Sequence, residues 1–530
     1  MMKRIRIMMK RIIILGMMFY WMFSLFGNES FALYKLFDKR LQLIIRADEY
    51  FVWRQEKHSA QEYLYSQALT VWRHRFQAEG TLTLLEKEDT LINFYAWINF
   101  YYEAQPSFNE NIRNSMDYNQ RHYKYQLPFF RKDDILQECY VDYNKGPWTF
   151  RVGKQSVIWG DMTLERTTDV VNPLDLRYST PGIDEFDELK IAMYMLRGIY
   201  ETSLPGNITI EGIFNPADYQ RTRTGIQGSD RGAPPVPNEE LGGMGLIAAL
   251  DTFKDRIPRF SFHNRSGGIR VRGQLRPKLF NKYYEFLVSL QYYNALDNPI
   301  VDDLDARRKF IVPFMTKRSD GKIPKLPAGT FYDAKRYEMV GLGIQTEEPQ
   351  LLKSVIILEM GYFWGLDFNT TERPAPGDTS FATTGRTETD YFTYGLSFRR
   401  PTNQMFLKDI DHTARGIADI SFTLFQGWFL TNKISEIKKP GDFSYDNKSE
   451  TALTCSYMTD FISKQLTFVT NFLYNARDWG YYTVSLTYAP TSEWKVTVGT
   501  MQFYANNPMN SGTASSYKSD RFFLKIKYEF

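Results

Sequence analysis

The chain has 530 residues, of which 43% are hydrophobic and 16% aromatic, yet its mean hydropathy is negative. A helical membrane protein would be far more apolar, whereas this balance is typical of a barrel whose alternate residues face lipid and water. The formal net charge of +4 comes from the N-terminus, because residues 33–530 contain 60 basic and 60 acidic side chains. A neutral remainder gives no indication of nucleic-acid binding.

The N-terminus has the organisation of a secretory signal peptide. An almost unbroken apolar run covers residues 12–26, and Ser30-Phe31-Ala32 offers a small-x-small cleavage site. The run is preceded by five basic residues, Lys3, Arg4, Arg6, Lys10 and Arg11. We therefore expect residues 1–32 to be a leader that is cleaved after Ala32. An uncleaved anchor helix is the alternative, but it needs about 20 apolar residues.

Residues 33–66 allow two interpretations, because the stretch from Leu36 to Ile45 could form a first strand or an amphipathic periplasmic helix. From residue 67 onward the hydrophobic pattern repeats with a period of two. We count about 17 candidate strands, and since bacterial single-chain barrels have even numbers, we predict about 18, with 16 as the alternative. The predicted fold is an all-β, transmembrane antiparallel β-barrel over residues 67–530, with a lumenal plug or constriction segment.

The C-terminal segment shows the pattern best. Its apolar face consists of Phe522, Leu524, Ile526, Tyr528 and Phe530, and the opposite face carries Phe523, Lys525, Lys527 and Glu529. A strand of this length with one apolar face can cross a bilayer when tilted. We predict that Tyr528 and Phe530 form the C-terminal signal for the barrel-assembly machinery.

The predicted strands are joined by tight turns on one side and by long polar links on the other. The long links occupy residues 105–134, 217–265, 296–336, 367–388, 431–450 and 505–520. Such links are ordinary as extracellular loops of a barrel, and 217–265 is long enough to enter the lumen. Near the strand ends we expect an aromatic girdle, made of Tyr283, Tyr292, Tyr293, Tyr481, Tyr482, Tyr504 and Tyr528.

The most distinctive stretch of the chain is residues 148–177. It begins as a strand over 149–155, but its second half loses the alternation and contains Asn172-Pro173, a strand breaker. We expect this half to leave the wall and to fold into the lumen.

The same stretch carries a family resemblance. Its motif residues are Gly153-Lys154-Gln155, Trp159-Gly160 and Asp169-Val170-Val171-Asn172-Pro173-Leu174-Asp175. This pattern resembles the bacterial outer-membrane family known as domain of unknown function 1302, most sharply over residues 147–200. The resemblance implies an outer-membrane barrel. It also implies an association with inner-membrane exporters of the resistance-nodulation-division type and with lipid or hydrophobic cargo. No catalytic residues come with it.

The charged residues of the stretch suggest two roles. A constriction lined by both signs would set selectivity, whereas salt bridges and the Asn172 amide would hold a structural plug against the wall. The lumen and constriction candidates of the stretch are Arg151, Lys154, Trp159, Asp161, Arg166, Asp169, Asn172, Asp175 and Arg177. By alternation, Arg270, Arg272, Arg399, Lys525 and Lys527 also face the lumen. They indicate a locally positive wall, or merely the charge that keeps any lumen wet.

Other patterns give no enzyme and no cofactor. Residues 243–248 imitate a dinucleotide-binding loop but follow a proline-rich link rather than a strand. Asp411-His412 could be half of a hydrolase dyad, but solvation of a loop is the simpler explanation. Cys139 and Cys455 alternate with apolar neighbours, and we interpret them as small apolar residues rather than as a disulfide.

We therefore expect a channel in the outer membrane of a Gram-negative bacterium, passing solutes through a polar lumen. The first alternative is a plugged barrel that moves hydrophobic or lipid-like cargo with an inner-membrane exporter. A barrel enzyme and a sheath for a cytochrome conduit are further alternatives. The expected partners are outer-membrane lipid and the assembly machinery, with no nucleic acid.

Overall fold

The structure is a computed structural model of the chain. It describes residues 34–36, 40–54, 69–103, 135–162, 166–175, 186–220, 254–255, 260–279, 282–296, 331–332, 336–348, 352–370, 385–414, 416–430, 449–476, 479–505 and 520–529. The predicted leader, Arg177, Phe530 and most of the long links lie outside these residues.

Eighteen strands form one closed antiparallel barrel, which confirms the predicted all-β barrel and its strand number. The first nine are β1 Leu41–Arg54, β2 Leu69–Lys87, β3 Thr90–Glu103, β4 Leu136–Lys145, β5 Trp148–Gln155, β6 Met193–Glu201, β7 Thr209–Asn215, β8 Ser266–Leu275 and β9 Phe286–Leu296. The others are β10 Arg336–Glu348, β11 Ser354–Thr370, β12 Gly385–Asn403, β13 Ile417–Phe429, β14 Ser449–Phe461, β15 Leu466–Asn475, β16 Trp479–Tyr488, β17 Trp494–Ala505 and β18 Arg521–Glu529. Each strand pairs with the next, and β18 pairs with β1.

The remaining elements are short. The segment Tyr34–Leu36 pairs with the start of β1. Strand β1 lies within residues 33–66, for which either a strand or a helix was expected. Two small ladders join Lys278–Leu279 to Lys282–Tyr283 and Lys254–Asp255 to Phe331–Tyr332. The helices are α1 Phe186–Leu189, a 3₁₀ turn Phe262–Asn264 and α2 Phe406–Ile410.

Alternation along the strands separates an apolar outer face from a buried inner face. In β13, Ile420, Phe422 and Trp428 are exposed and point outward, whereas Thr423 and Phe425 between them are buried. Large exposed apolar side chains recur on the outer faces of the other strands. A closed barrel with such an outer face is a transmembrane β-barrel, since closure satisfies the backbone hydrogen bonds within lipid. None of the described helices is long and apolar enough to cross a membrane.

The two ends of the barrel differ in their connections. At one end the chain turns within a few residues, as between β2 and β3 or β4 and β5, and we call this the short-turn end. At the other end the connections between β3 and β4, β7 and β8, and β9 and β10 are long, and we call this the long-loop end. This asymmetry is typical of bacterial transmembrane barrels.

Adjacent tyrosines cannot both join an outer girdle. Tyr482, Tyr504 and Tyr528 have outward register, but Tyr293 is 1% exposed and packs inside the barrel. Tyr481 shares the inward register of Phe503 and Met501. The girdle prediction was wrong for Tyr293 and Tyr481, because successive side chains of a strand point to opposite faces.

The inner wall is divided into two sectors, which we define by their inward-register residues. The charged wall runs from β18 through β1 to β8 and contains Lys525, Lys527, Glu529, Arg46, Asp48, Arg75, Glu79, Glu138, Asp142, Arg151, Arg197, Glu211, Arg270 and Arg272. The small-residue wall runs from β9 to β17 and is named for its inward Gly, Ser and Thr residues, which include Ser289, Gly341, Gly361, Thr393, Gly395, Ser397, Thr423, Thr454, Thr483 and Gly499.

Ion pairs join the strands where the barrel closes. The Arg46 guanidinium donates to Glu529 of β18 at 2.9 Å and to Glu79 of β2 at 3.0 Å. Next to it, Arg75 bridges Asp48 and Glu188. These half-buried pairs tie three strands together at the seam.

We expect Arg46→Ala to weaken the seam, because two neighbouring carboxylates lose their shared cation. The free energy of unfolding should fall by about 1–3 kcal/mol, measured by urea titration of the refolded barrel. The control is Lys495→Ala, which removes an exposed inward cation from β17 beside the seam. Equal effects of the two substitutions would contradict a specific role for Arg46.

Candidate functional site

The chain leaves the wall where β5 ends and runs along the inside of the barrel. We call residues 156–175 the inner segment, of which the structure describes 156–162 and 166–175. Trp159, Val157 and Asn172 in it are at most 1% exposed. Its only strand-like pairing among the described residues is a bridge from Leu174 to Lys190. The segment therefore depends on side-chain contacts for its position.

Glu359 is the main fixing point of the inner segment on the small-residue wall. This carboxylate on β11 is 1% exposed. It accepts hydrogen bonds from the Asp161 amide, the Met162 amide at 3.0 Å and the Thr168 hydroxyl at 2.9 Å. Because an unpaired buried charge is costly, these donors and Glu359 hold each other in place.

Inward-facing glycines on three adjacent strands make room for the segment beside Glu359. A Cβ on Gly395 of β12 would overlap the Met162 sulfur and would lie 2.9 Å from the Thr167 hydroxyl. A Cβ on Gly361 of β11 would lie 3.0 Å from the Thr167 carbonyl oxygen. A Cβ on Gly341 of β10 would lie 3.1 Å from the Thr168 methyl carbon. Backbone and wall thus approach each other at a distance that larger side chains would prevent.

Asn172 and Asp169 fix the segment's internal shape. The Asn172 amide accepts from the Val157 amide at 2.7 Å and donates to the Ile191 carbonyl at 2.9 Å. Asp169 accepts from the Trp159 amide at 3.2 Å and lies 2.7 Å from the Lys190 ammonium. The motif residues therefore bind one another.

Arg166 completes this arrangement. It is 6% exposed, donates to the Asn172 carbonyl at 2.7 Å and lies 3.7 Å from Asp169. Arg166, Asp169 and Asn172 thus hold one another in place within the segment. Asp175 lies at the end of the segment, where its amide donates to the Leu189 carbonyl at 2.7 Å.

A continuous row of aromatic rings begins at Trp159. The ring of Trp159 meets Tyr293 at 6.0 Å, and further contacts of 5.0–6.4 Å follow across β9 to β13. The row consists of Trp159, Tyr293, Tyr337, Phe363, Tyr391 and Phe429. All six are at most 4% exposed and belong to one buried apolar cluster.

The charged wall faces the other side of the segment. Arg151 makes a two-fold contact with Asp142, at 2.7 and 2.9 Å, and covers the Tyr140 ring at 3.8 Å. Glu211 bridges Arg197 at 2.8 Å and Arg270 at 2.7 Å. These cations are partly accessible and are each held by a carboxylate.

Two arginines of the charged wall reach the inner segment. Arg270 donates to the carbonyls of Ile158 at 3.1 Å and Trp159 at 3.4 Å. Arg272 pairs with Asp161 at 3.1 Å, and the side chains of Arg272 and Asp161 are 33% and 27% exposed. Asp161 is thus the point where the inner segment presents a charge toward the charged wall.

Other predicted site residues lie elsewhere. Arg399, Lys525 and Lys527 have inward register, as alternation indicated. Lys154 differs from the prediction, since its register partners Cys139 and Tyr194 point outward. It is 5% exposed and donates to the Leu136 carbonyl. The reason is that alternation from the outward Val152 also places Lys154 outward.

The residues that sequence reasoning missed are Glu359, Gly341, Gly361 and Gly395. Glycine within a strand signals a close backbone approach, and the spacing of these glycines along three consecutive strands was the available signal. The sequence cannot show that they align across the sheet. Glu359 has no local signal, because an inward glutamate looks like any lumen charge.

His412 and the two cysteines, which the sequence offered for other roles, lie apart from the inner segment. His412 lies exposed in the connection after α2, and its neighbour Asp411 binds backbone groups there. Cys139 and Cys455 are free. No cluster of three or more His, Cys, Asp or Glu that could hold a metal ion occurs among the described residues.

Comparison with known proteins confirms the family resemblance. Residues 72–229 match the family described as protein of unknown function DUF1302, a match that includes β2 to β7 and the inner segment. No curated protein matches the chain.

Solved structures with some likeness are outer-membrane proteins. Pseudomonas aeruginosa OpdK is 10% identical with a TM-score of 0.43, covering 92% of this chain and 98% of its own. A BenF-like porin from Pseudomonas fluorescens is 9% identical with a TM-score of 0.47, covering 92% and 98%. Salmonella typhi OmpF is 7% identical with a TM-score of 0.39, covering 92% and 97%. Identities and TM-scores this low support no inference about function, and the barrel architecture is established by the strand pairing.

We expect Gly395→Ala to displace the inner segment, because the added methyl overlaps Met162 and Thr167. The unfolding free energy should fall by about 1–3 kcal/mol, as for overpacked cores, and protease cleavage within the segment should increase. The control is Gly212→Ala on β7, where a Cβ meets nothing within 4 Å. If both variants behave alike, the close approach is not what fixes the segment.

Proposed function

We propose that the chain is a channel in the outer membrane of a Gram-negative bacterium, in which polar solutes pass between the charged wall and the inner segment. The observation that carries the proposal is the Asp161–Arg272 pair, which keeps partial exposure between the two. Paired charges of both signs at a narrow point act on solutes through field and width.

The surroundings of this pair support a water-filled path. The charged wall holds cations and carboxylates in partly accessible ion pairs, which an apolar core would not tolerate. The inner segment is fixed to the opposite wall by Glu359, so it narrows the lumen from one side. Short turns would face the periplasm and long loops the exterior.

We expect Glu359→Ala to increase single-channel conductance in a planar bilayer, or to make the current fluctuate, because the inner segment loses its three-fold attachment. The control is Glu347→Ala, which removes an exposed carboxylate from the same inner wall near the short-turn end. Steady conductance steps of unchanged size in both variants would show that the inner segment does not form the constriction.

We expect neutralisation of Arg272 and neutralisation of Asp161, each in a separate variant, to change ion selectivity in opposite directions. Arg272→Gln leaves Asp161 uncompensated and should shift the reversal potential in a salt gradient toward cation preference. Asp161→Asn should shift it toward anion preference. The check is the sign of the two shifts relative to the wild type, and equal signs would place the pair away from the ion path.

The aromatic row favours a second candidate function, the transport of hydrophobic cargo with an inner-membrane exporter. Trp159 and the five inward rings on β9 to β13 could guide an apolar molecule if the inner segment moved away from them. The bilayer experiment separates the two candidates. Inserted barrels that pass no current, either as wild type or as Glu359→Ala, would favour the apolar cargo.

A further inference from the structure

The connection between β12 and β13 exposes an unusual apolar surface. It contains α2, in which Phe406 is 55% and Ile410 is 70% exposed, and Met405 before it is 63% exposed. Phe406 and Ile410 are four residues apart and so lie on one side of the helix. Ile462 in the adjacent turn between β14 and β15 is 45% exposed. We call Met405, Phe406, Ile410 and Ile462 the rim patch.

The connection lies over the outer face of the barrel. Gln404 accepts a hydrogen bond of 2.8 Å from the hydroxyl of Tyr457, which has outward register beside Ile420. Ala418 and Thr459 also have outward register, yet they are only 0% and 3% exposed. Farther along the same face, Ile420 is 37% exposed. The outer wall is therefore covered at its short-turn end and bare above it.

Specific hydrogen bonds hold the connection in this position. The Asp411 carboxylate accepts from the Ile462 amide at 2.6 Å and from the Thr413 amide at 2.9 Å. The Ser463 amide donates to the Thr413 hydroxyl at 3.1 Å. The bonds from Ile462 and Thr413 hold the pKa of Asp411 below its usual value, so it stays a charged acceptor at neutral pH. The rim patch is thus presented by two turns fastened together.

We propose that the rim patch is an interfacial anchor, whose apolar side chains enter the phospholipid leaflet at the short-turn end of the barrel. The patch continues the lipid-facing surface of Ile420 and Phe422. Tyr457, which lies beside Ile420 on the neighbouring strand, is an interfacial aromatic residue. A short segment with apolar residues on one side gains free energy at the boundary between headgroups and acyl chains. The anchor does not depend on the channel function, only on the barrel crossing the membrane.

The experiment places a nitroxide spin label at Ile410→Cys in protein reconstituted into phospholipid vesicles, with Cys139→Ser and Cys455→Ser removing the native thiols. Collision with oxygen reports lipid, and collision with a water-soluble nickel complex reports solvent. Val498→Cys, on the outer face of β17 at 51% exposure, is the lipid reference. Ser492→Cys, exposed in the turn between β16 and β17, is the solvent reference.

We expect Ile410→Cys to lose most nickel collisions relative to Ser492→Cys and to approach the oxygen accessibility of Val498→Cys. Nickel accessibility equal to that of Ser492→Cys would overturn the proposal, because it would show that the rim patch lies in water, where a periplasmic protein could bind it. Low accessibility to both reagents would overturn it as well, since it means protein contact between copies. If Ile410→Cys does not fold, as judged by heat-dependent electrophoretic mobility, Phe406→Cys reports the same surface.

Discussion

The buried carboxylate of Glu359 determines what the inside of this barrel can be. A carboxyl group that is 1% exposed needs hydrogen-bond partners for its oxygen atoms. Two backbone amides and one hydroxyl of the inner segment are those partners. The segment therefore depends on the carboxylate, because a segment lying there without Glu359 would bury two backbone amides and a hydroxyl without an acceptor. This dependence places a non-repetitive segment inside a lumen where strand pairing cannot hold it.

The division of the inner wall follows from the same contact. A backbone can lie against a sheet only where side chains are small, and Gly341, Gly361 and Gly395 provide that surface next to Glu359. The aromatic row then covers the segment's apolar side from Trp159 onward. In the charged wall, arginines and carboxylates pair with one another and keep contact with solvent. One wall holds the segment, and the other remains available for solutes.

The sequence predicted the barrel well because alternation is a local property. Each strand shows its lipid face without knowledge of its neighbours, whereas residues 33–66 stayed open between a helix and a strand until the structure placed β1 there. The inner segment was also predictable, since the loss of alternation and Asn172-Pro173 end the strand locally. Its fixing points were not predictable, because Glu359 is almost two hundred positions beyond Asp161. Lys154, Tyr293 and Tyr481 show that single residues are misplaced when alternation is not applied strictly.

The outer and inner surfaces raise the same physical question, namely what covers a face that strand pairing leaves bare. On the inside, the small-residue wall is covered by a segment whose backbone donors are matched to Glu359. On the outside, the short-turn end of β13 and β14 is covered by the connection with α2, which presents a new apolar surface in turn. A bare apolar face in water would promote association. A face that continues the lipid-facing wall needs no protein partner, because the bilayer that the strands already require can cover it.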